Sequence, residues 1–121
     1  MTHPAAMTEV QLRAAVRDIC RELQLLAQYA ERSERCWLAG WPDLEIIGPG
    51  GILHRELKTM RGEVSGLQRA VGAGIIRAGG DWAVWRPVDY YGGIVRSQLT
   101  ALSMPRRGAP NPIAGRPGGT T

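Results

Sequence analysis

The chain has 121 residues, which suits one compact domain, and its hydrophobic content of 44% is ordinary for a globular protein. The formal net charge of +4 fits a polyanionic partner without identifying one. The two cysteines have neither a CxxC spacing nor a histidine at ligand spacing, which argues against a structural zinc site. The N-terminus lacks the pattern of a signal peptide and no apolar run is long enough to span a bilayer, so we expect a cytoplasmic protein without a membrane partner.

The first predicted elements are a helix and a strand. Residues 1–7 have the character of a loose lead-in, and Thr8 suits the N-cap of a helix from residue 9 to about residue 24. Apolar residues recur along it with helical spacing, namely Leu12, Val16, Ile19, Leu23 and Leu26. Residues 24–30 can form a strand, and residues 31–35 form a charged connector of the kind that is usually solvated.

A β-hairpin is predicted next. Residues 44–47 and 52–58 have the pattern of two short strands, and the turn between them is rich in glycine and proline. Side chains alternate along a strand, so Glu56 and Lys58 point to one side, while Asp43 stands at the start of the first strand. The hairpin can therefore bring together two carboxylates and an ammonium group. Such a set can hold a divalent metal and activate a water molecule.

Lys58 has a further distinction, because it is the only lysine in the chain and every other cationic side chain is an arginine. A bias towards arginine has a plain explanation in the base composition of a genome. A lysine that survives this bias is informative, since its ammonium group is a compact point charge and the arginine group is a delocalised fork.

The second half of the chain predicts a helix, a strand and a last helix. Ser65 and Gln68 have the spacing of a capping box, and the helix that they open closes at Gly79-Gly80. Residues 82–85 have the pattern of a strand, and Asp89 can cap the last helix. The apolar face of that helix would consist of Val95, Leu99 and Leu102.

The predicted order is helix, strand, strand, strand, helix, strand, helix. This order defines an α/β domain with a mixed sheet flanked by helices, over residues 8–103. Residues 104–121 contain proline, glycine, alanine and arginine without any acid, and we expect a basic, disordered tail there.

Several short segments, in this order, resemble one nuclease family. Pro42-Asp43 followed by Glu56-Leu57-Lys58 matches the PD-(D/E)xK signature, and Trp85-Arg86-Pro87 ends the last strand. The other matching segments are Thr8-Glu9, Gln11-Leu12, Gly40-Trp41-Pro42-Asp43-Leu44, Gly62, Ser65 and Gln68. The string is similar to a stand-alone VRR-NUC domain, the virus-type replication-repair nuclease, over residues 8–102. The resemblance implies a restriction-endonuclease-like fold.

The resemblance also implies a metal site. In that family the motif Asp and Glu bind Mg²⁺, with Mn²⁺ as a substitute, which here means Asp43 and Glu56. The backbone carbonyl between Glu and Lys, here that of Leu57, is commonly a further ligand. The acid of the first helix, here Glu9, would bind the metal directly or through a water. The helix pattern alone favours a simpler role for Glu9, a favourable charge at the helix start.

Lys58 would position or activate the attacking water and stabilise charge at the phosphorus, and Gln68 would lie near it and order the site. This role for Gln68 is compatible with helix capping. Many relatives carry a histidine near the end of the first strand, where this chain has Tyr29. His54 shares a strand face with Glu56, but a packed sheet histidine explains it better than catalysis does.

The expected partner is DNA. Candidates for phosphate contacts are Arg32, Arg35, Arg61 and Arg86, and an exposed strand end explains Arg86 equally well. The family implies a metal-dependent endonuclease for branched DNA, such as a Holliday junction or a flap, with no small-molecule cofactor. Symmetric cutting of a junction needs two active sites, which predicts a homodimer with the apolar last helix or the Trp-rich strands at its interface.

Two other interpretations of function stay open. One is a catalytically silent DNA-binding subunit that keeps the fold, and the other is a nicking or restriction-type enzyme. A structural ion-pair cluster would also explain Asp43, Glu56 and Lys58, but the ordered neighbouring segments favour catalysis. Because the chain has no phenylalanine, we expect core positions for the tryptophans, Trp37, Trp41, Trp82 and Trp85.

Overall fold

The computed structural model describes residues 3–30 and 37–106, in which a four-stranded mixed sheet is flanked by helices. This confirms the predicted α/β class and the mixed sheet. The elements after a short 3-10 helix (Pro4–Ala6) are α1 (Glu9–Glu22), β1 (Leu26–Tyr29), β2 (Leu44–Gly48), β3 (Gly51–Leu57), α2 (Gly66–Arg77), β4 (Asp81–Trp85), α3 (Pro87–Tyr91) and α4 (Ile94–Leu102). No helix within the described ranges combines the length and apolarity that a membrane crossing needs.

The strands lie in the order β1-β2-β3-β4, and their directions follow from their connections. β1, β2 and β3 are antiparallel neighbours, whereas β4 pairs parallel to β3 because the chain crosses over through α2. In the hairpin Leu44 pairs with Arg55. Continuing this register by one residue places Asp43 opposite Glu56, so the predicted hairpin does align the two acids.

One face of the sheet carries the apolar core. The amphipathic helix α1 packs on this face together with α4, and its apolar stripe is buried as the spacing predicts. The buried residues are Leu12, Val16, Ile19 and Cys20 of α1; Leu44, Ile46, Leu53, Leu57 and Trp85 of the sheet; and Val95, Leu99 and Leu102 of α4.

The apolar face of α4 is buried in the core. Val95, Leu99 and Leu102 are at most 4% exposed, and Trp85 is 1% exposed, so these side chains are used inside the chain. These four side chains are part of the core and offer no surface to a second copy. An interface through the exposed side of α4, where Ile94 is 46% exposed, or through the other tryptophans stays a prediction. The dimer itself stays a prediction.

The helix α2 packs against β4 through a close approach. A Cβ atom added at Gly72 would lie 2.4 Å from the Trp82 ring, so only glycine lets the helix come this near. This packing holds the start of α2 at the same end of the sheet as the end of β3.

The last predicted helix is two helices. The break falls at Gly92-Gly93, where Gly93 has φ +86 and begins α4 from a left-handed conformation that favours glycine. The prediction that Asp89 is the N-cap is wrong. Asp89 lies inside α3, and its carboxylate accepts a hydrogen bond from the Arg86 N–H at 2.8 Å.

Two further expectations differ from the structure. The segment expected to be a loose lead-in contains the helix Pro4–Ala6, and Met7 is buried in the core. Of the tryptophans, Trp85 is buried and Trp41 and Trp82 are half-buried, but Trp37 is fully exposed. The prediction of a core position is therefore wrong for Trp37.

A buried arginine joins the sheet to α4. Arg55 is 2% exposed, pairs with the Asp81 carboxylate at 3.0 Å and donates to Gln98 Oε1 at 3.0 Å. Gln98 Oε1 also accepts from the Trp85 indole at 2.9 Å. The network compensates the charge of Arg55 within the core face, as a buried charge requires.

Candidate active site

The two hairpin acids are held side by side by the backbone. The Leu57 N–H donates to Asp43 Oδ2 at 3.1 Å, which fixes the Asp43 carboxylate next to the Glu56–Leu57 peptide. Ala30 N–H donates to the Asp43 carbonyl at 2.8 Å and holds the main chain at the start of β2 from the other side. Asp43 is therefore positioned by its neighbours on both strands.

Glu56 is the most buried acid of the site, with 2% exposure. Its Oε2 atom accepts a hydrogen bond from Gln68 Nε2 at 2.7 Å and lies 3.9 Å from Lys58 Nζ. Its Oε1 atom is buried and has no hydrogen-bond partner in the described part of the chain. A buried carboxylate oxygen without a donor is costly, so this atom is a natural point for a cation or a water.

The electrostatics of Glu56 reflect this burial. Burial, together with hydrogen bonding to Asp43 and the charge of Asp43, raises its pKa to about 8, while the charge of Lys58 opposes this rise. Two acids this close are unfavourable when both are ionised and no cation lies between them. Without a bound cation, the negative charges of Asp43 and Glu56 are therefore not fully compensated.

Lys58 sits just beyond the end of β3. Its N–H donates to the Trp85 carbonyl at 3.0 Å, so the parallel pairing with β4 fixes its backbone. Its side chain is 17% exposed, and the following loop packs along it, with an added Cβ at Gly62 only 3.4 Å from Lys58 Cδ. The ammonium group is therefore directed towards Glu56 and still reaches the solvent side of the site.

Gln68 caps α2 as predicted and also contacts Glu56, while its role in catalysis stays a prediction. Ser65 Oγ accepts from the Gln68 N–H at 3.1 Å, and Gln68 Oε1 accepts from the Ser65 N–H at 2.9 Å, which completes the capping box. The amide NH₂ remains free to donate to Glu56. Helix capping thus orients the same side chain that holds the buried carboxylate.

The start of α1 borders the site. Glu9 is half-buried, and burial and the charge of Asp43 raise its pKa, while Lys58 and Arg13 oppose this. Arg13 lies one helical turn after Glu9, and its guanidinium stacks 4.3 Å from the Tyr29 ring centre. Tyr29 occupies the end of β1. Sequence reasoning missed Arg13, although the Glu-to-Arg spacing of four residues was a usable signal.

A second polar cluster lies next to Glu56 on the same face of the sheet. The Trp41 indole N–H donates to Glu45 Oε1 at 2.6 Å, and Glu45 also contacts His54 Nδ1. The Trp41 and His54 rings meet edge to face with their centres 6.2 Å apart. The cluster agrees with the expectation of a packed sheet histidine. Its partners were not predicted, because no local pattern pairs positions 41, 45 and 54.

The predicted phosphate contacts have different surroundings. Arg61 is exposed in the loop after Lys58. Arg86 is half-buried, and its Nη1 donates to the carbonyls of Thr59 and Gly62 at 2.7 Å each, so it supports that loop. The Arg32 and Arg35 predictions lie outside the described residues. A DNA contact by Arg86 stays a prediction.

The residues present fit a small, oxygen-seeking cation only in part. Within residues 3–30 and 37–106, no three His, Cys, Asp or Glu side chains are grouped closely enough to hold a metal ion. Glu9 is therefore not arranged as a third direct ligand. Asp43, the partnerless Glu56 Oε1 and a backbone carbonyl suit Mg²⁺, because this ion takes few protein ligands and keeps several waters.

No family model matches this sequence, and no curated protein and no solved structure matches it.

Proposed function

We propose that this protein is a Mg²⁺- or Mn²⁺-dependent deoxyribonuclease that hydrolyses phosphodiester bonds. The observation that carries the proposal is the surroundings of Glu56. One oxygen of this buried carboxylate is held by Gln68 and Lys58, and the other has no hydrogen-bond partner among the residues that the structure describes. Asp43 is close enough to raise the pKa of Glu56. A purely structural ion pair does not account for a buried carboxylate oxygen without a hydrogen-bond partner.

Each side chain has a task in this proposal. Asp43 and Glu56 would hold the cation with the Leu57 carbonyl, and Glu9 would orient a water at its edge. The bound cation supplies charge that neutralises phosphate oxygens and makes a water easier to deprotonate. Lys58 orients the attacking water and faces the charge that grows at the phosphorus. Gln68 keeps Glu56 in one orientation through its 2.7 Å hydrogen bond.

The proposed substrate is branched DNA, such as a Holliday junction or a flap, and the proposed oligomer is a homodimer. Both rest on the resemblance of the motif set to VRR-NUC nucleases, together with the positive net charge of the chain. Arg61 is exposed next to the site and suits a phosphate contact.

The test compares labelled four-way junction, flap, duplex and single-stranded DNA, each with Mg²⁺, Mn²⁺ or EDTA. We expect metal-dependent cleavage by the wild type that is lost in Asp43→Asn and in Lys58→Ala. Cleavage that survives both substitutions, or its absence with every DNA, would refute the nuclease. Binding of DNA without cleavage by the wild type would favour the catalytically silent DNA-binding subunit.

A further inference from the structure

Two adjacent apolar side chains are exposed on one loop. Trp37 is 107% exposed, more than the reference for a free side chain, and Leu38 is 52% exposed. A tryptophan that no described residue covers leaves a large apolar surface in water, which is unfavourable unless another molecule covers it. The four-residue stretch from Trp37 to Gly40 returns the chain to the active site.

The end of this loop is anchored firmly. Gly40 is buried with φ +87, and an added Cβ would lie 2.6 Å from the Leu67 carbonyl carbon and 2.9 Å from the Gln68 nitrogen. The next residue, Trp41, is tied to Glu45 by the 2.6 Å hydrogen bond. Trp37 is therefore presented from a fixed base that touches the residue holding Glu56.

The beginning of the loop is anchored at the same place. Ala30, the last described residue before it, donates its N–H to the Asp43 carbonyl at 2.8 Å. Both ends of the loop thus leave the fold beside the two acids. Trp37 lies three residues from Gly40, and three residues span at most about 11 Å. The Trp37 side chain therefore lies within reach of a nucleotide next to a DNA phosphate that is bound at the candidate site.

We infer that Trp37, with Leu38 beside it, stacks on an unpaired or unstacked nucleobase of the DNA that enters the active site. The inference rests on the proposed function, and it specifies how that site would select branched DNA. The exposed pair is far smaller than the roughly 800 Å² per partner of a stable protein interface, but it matches the face of one base. Lys58 in the candidate site and the exposed Arg61 that follows it suit a polyanion.

Stacking of this kind tolerates any base sequence, because every base has an aromatic face. In duplex DNA the faces are covered by neighbouring bases, so the tryptophan gains little there. At a flap, gap or junction an unstacked base is available without a large cost. The loop would therefore discriminate by DNA structure and not by base sequence.

The test is equilibrium binding in Ca²⁺ at one fixed salt concentration, with two labelled DNAs. One carries an unpaired 2-aminopurine at a flap junction, and the other is the matched full duplex. We expect Trp37→Ala to weaken binding of the flap by roughly tenfold more than binding of the duplex, and Trp37→Phe to recover most of the loss. Quenching of 2-aminopurine fluorescence on binding should follow the same order.

The control is Leu26→Ala, which removes a side chain that is 70% exposed at the other end of the sheet and should leave the flap preference unchanged. Equal binding of both DNAs by wild type and Trp37→Ala would overturn the inference. The proposed nuclease activity is tested independently of this inference. Metal-dependent cleavage with no effect of Trp37 refutes stacking alone, and a Trp37-dependent flap preference without cleavage refutes the nuclease alone.

Discussion

The Asp43 carboxylate is fixed by the backbone of the opposite strand, because the Leu57 N–H donates to its Oδ2 atom at 3.1 Å. This one contact places an acid from the start of β2 against the peptide that follows Glu56. Strand register therefore aligns the two acids, and Ala30 and Gln68 hold them from outside the hairpin.

Substitutions of Asp43 should separate this structural role from the chemical one. Asp43→Ala leaves the Leu57 N–H without an acceptor, and we expect it to lower the free energy of unfolding by about 1–2 kcal/mol. Asp43→Asn keeps an oxygen acceptor and should unfold close to wild type in urea. Both should lose metal-dependent cleavage. Equal stability of the alanine variant and wild type would contradict the role of this hydrogen bond.

The free energy of unfolding should depend on pH through the buried carboxyl group of Glu56. The pKa of Glu56 is raised in the folded chain to about 8, whereas an exposed glutamate in the unfolded chain titrates near its ordinary value. Below the ordinary value the carboxyl is neutral in both states and destabilises nothing. As the pH rises through the raised pKa, the folded chain must hold a buried charge, so stability is lost.

Glu56→Gln removes this titration and keeps an oxygen that can accept from Gln68. In EDTA we expect it to raise the free energy of unfolding at pH 9 by on the order of 1–3 kcal/mol, and to change little at pH 4. Thermal unfolding across this pH range measures the difference. If the stability of wild type and of Glu56→Gln changed in parallel with pH, the pKa of Glu56 would not be raised by folding.

The capping box offers a matched pair of variants for Gln68. Ser65→Ala removes only the cap, and we expect it to lower stability by about 1 kcal/mol and to leave cleavage nearly intact. Gln68→Ala removes the cap contact and the 2.7 Å hydrogen bond to Glu56, and we expect about 10–100-fold less cleavage as well. Similar cleavage by both variants would mean that Gln68 acts on the helix alone.

Arg86 and Arg61 should behave differently, although both are candidates for DNA contact. Arg86→Ala frees the carbonyls of Thr59 and Gly62, so we expect faster hydrogen exchange at the Gly62 N–H and about tenfold less cleavage. Arg61→Ala should instead weaken DNA binding of all sequences and reduce the salt slope by about 1. If Arg86→Ala reduces the salt dependence of DNA binding and leaves hydrogen exchange at the Gly62 N–H unchanged, Arg86 contacts a phosphate.

Elements with strong local patterns were predictable. Three such patterns were the apolar stripe of α1, the glycine-rich turn of the hairpin, and the spacing of Ser65 and Gln68. Each depends only on residues that are close together in the sequence. The alignment of Asp43 with Glu56 was predictable for the same reason, since a hairpin has a fixed register. The double glycine at 92–93 was a visible signal for the break between α3 and α4, whereas the predicted apolar face, Val95, Leu99 and Leu102, lies wholly after it.

Contacts that depend on the crossover were not predictable. Arg55 reads as an exposed strand residue until parallel β4 brings Asp81 beside it, and Gln98 comes from α4. The exposure of Trp37 was missed because composition assigns tryptophan to the core, and no local pattern shows that a loop carries it outward. Glu45 lacked a signal as well, since its partners Trp41 and His54 lie on either side of it in the sequence.

The crossover through α2 also sets the order in which the site can be completed during folding. The hairpin joins Asp43 to Leu57 over a short stretch of chain, and such hairpins close within microseconds. Gln68 arrives when α2 packs on the sheet, and the Trp85 carbonyl arrives when β4 pairs parallel to β3, and both steps are less local and slower. We expect refolding chains to gain the acid pair first and its amide donor last. Cleavage during refolding should therefore lag behind the recovery of secondary structure.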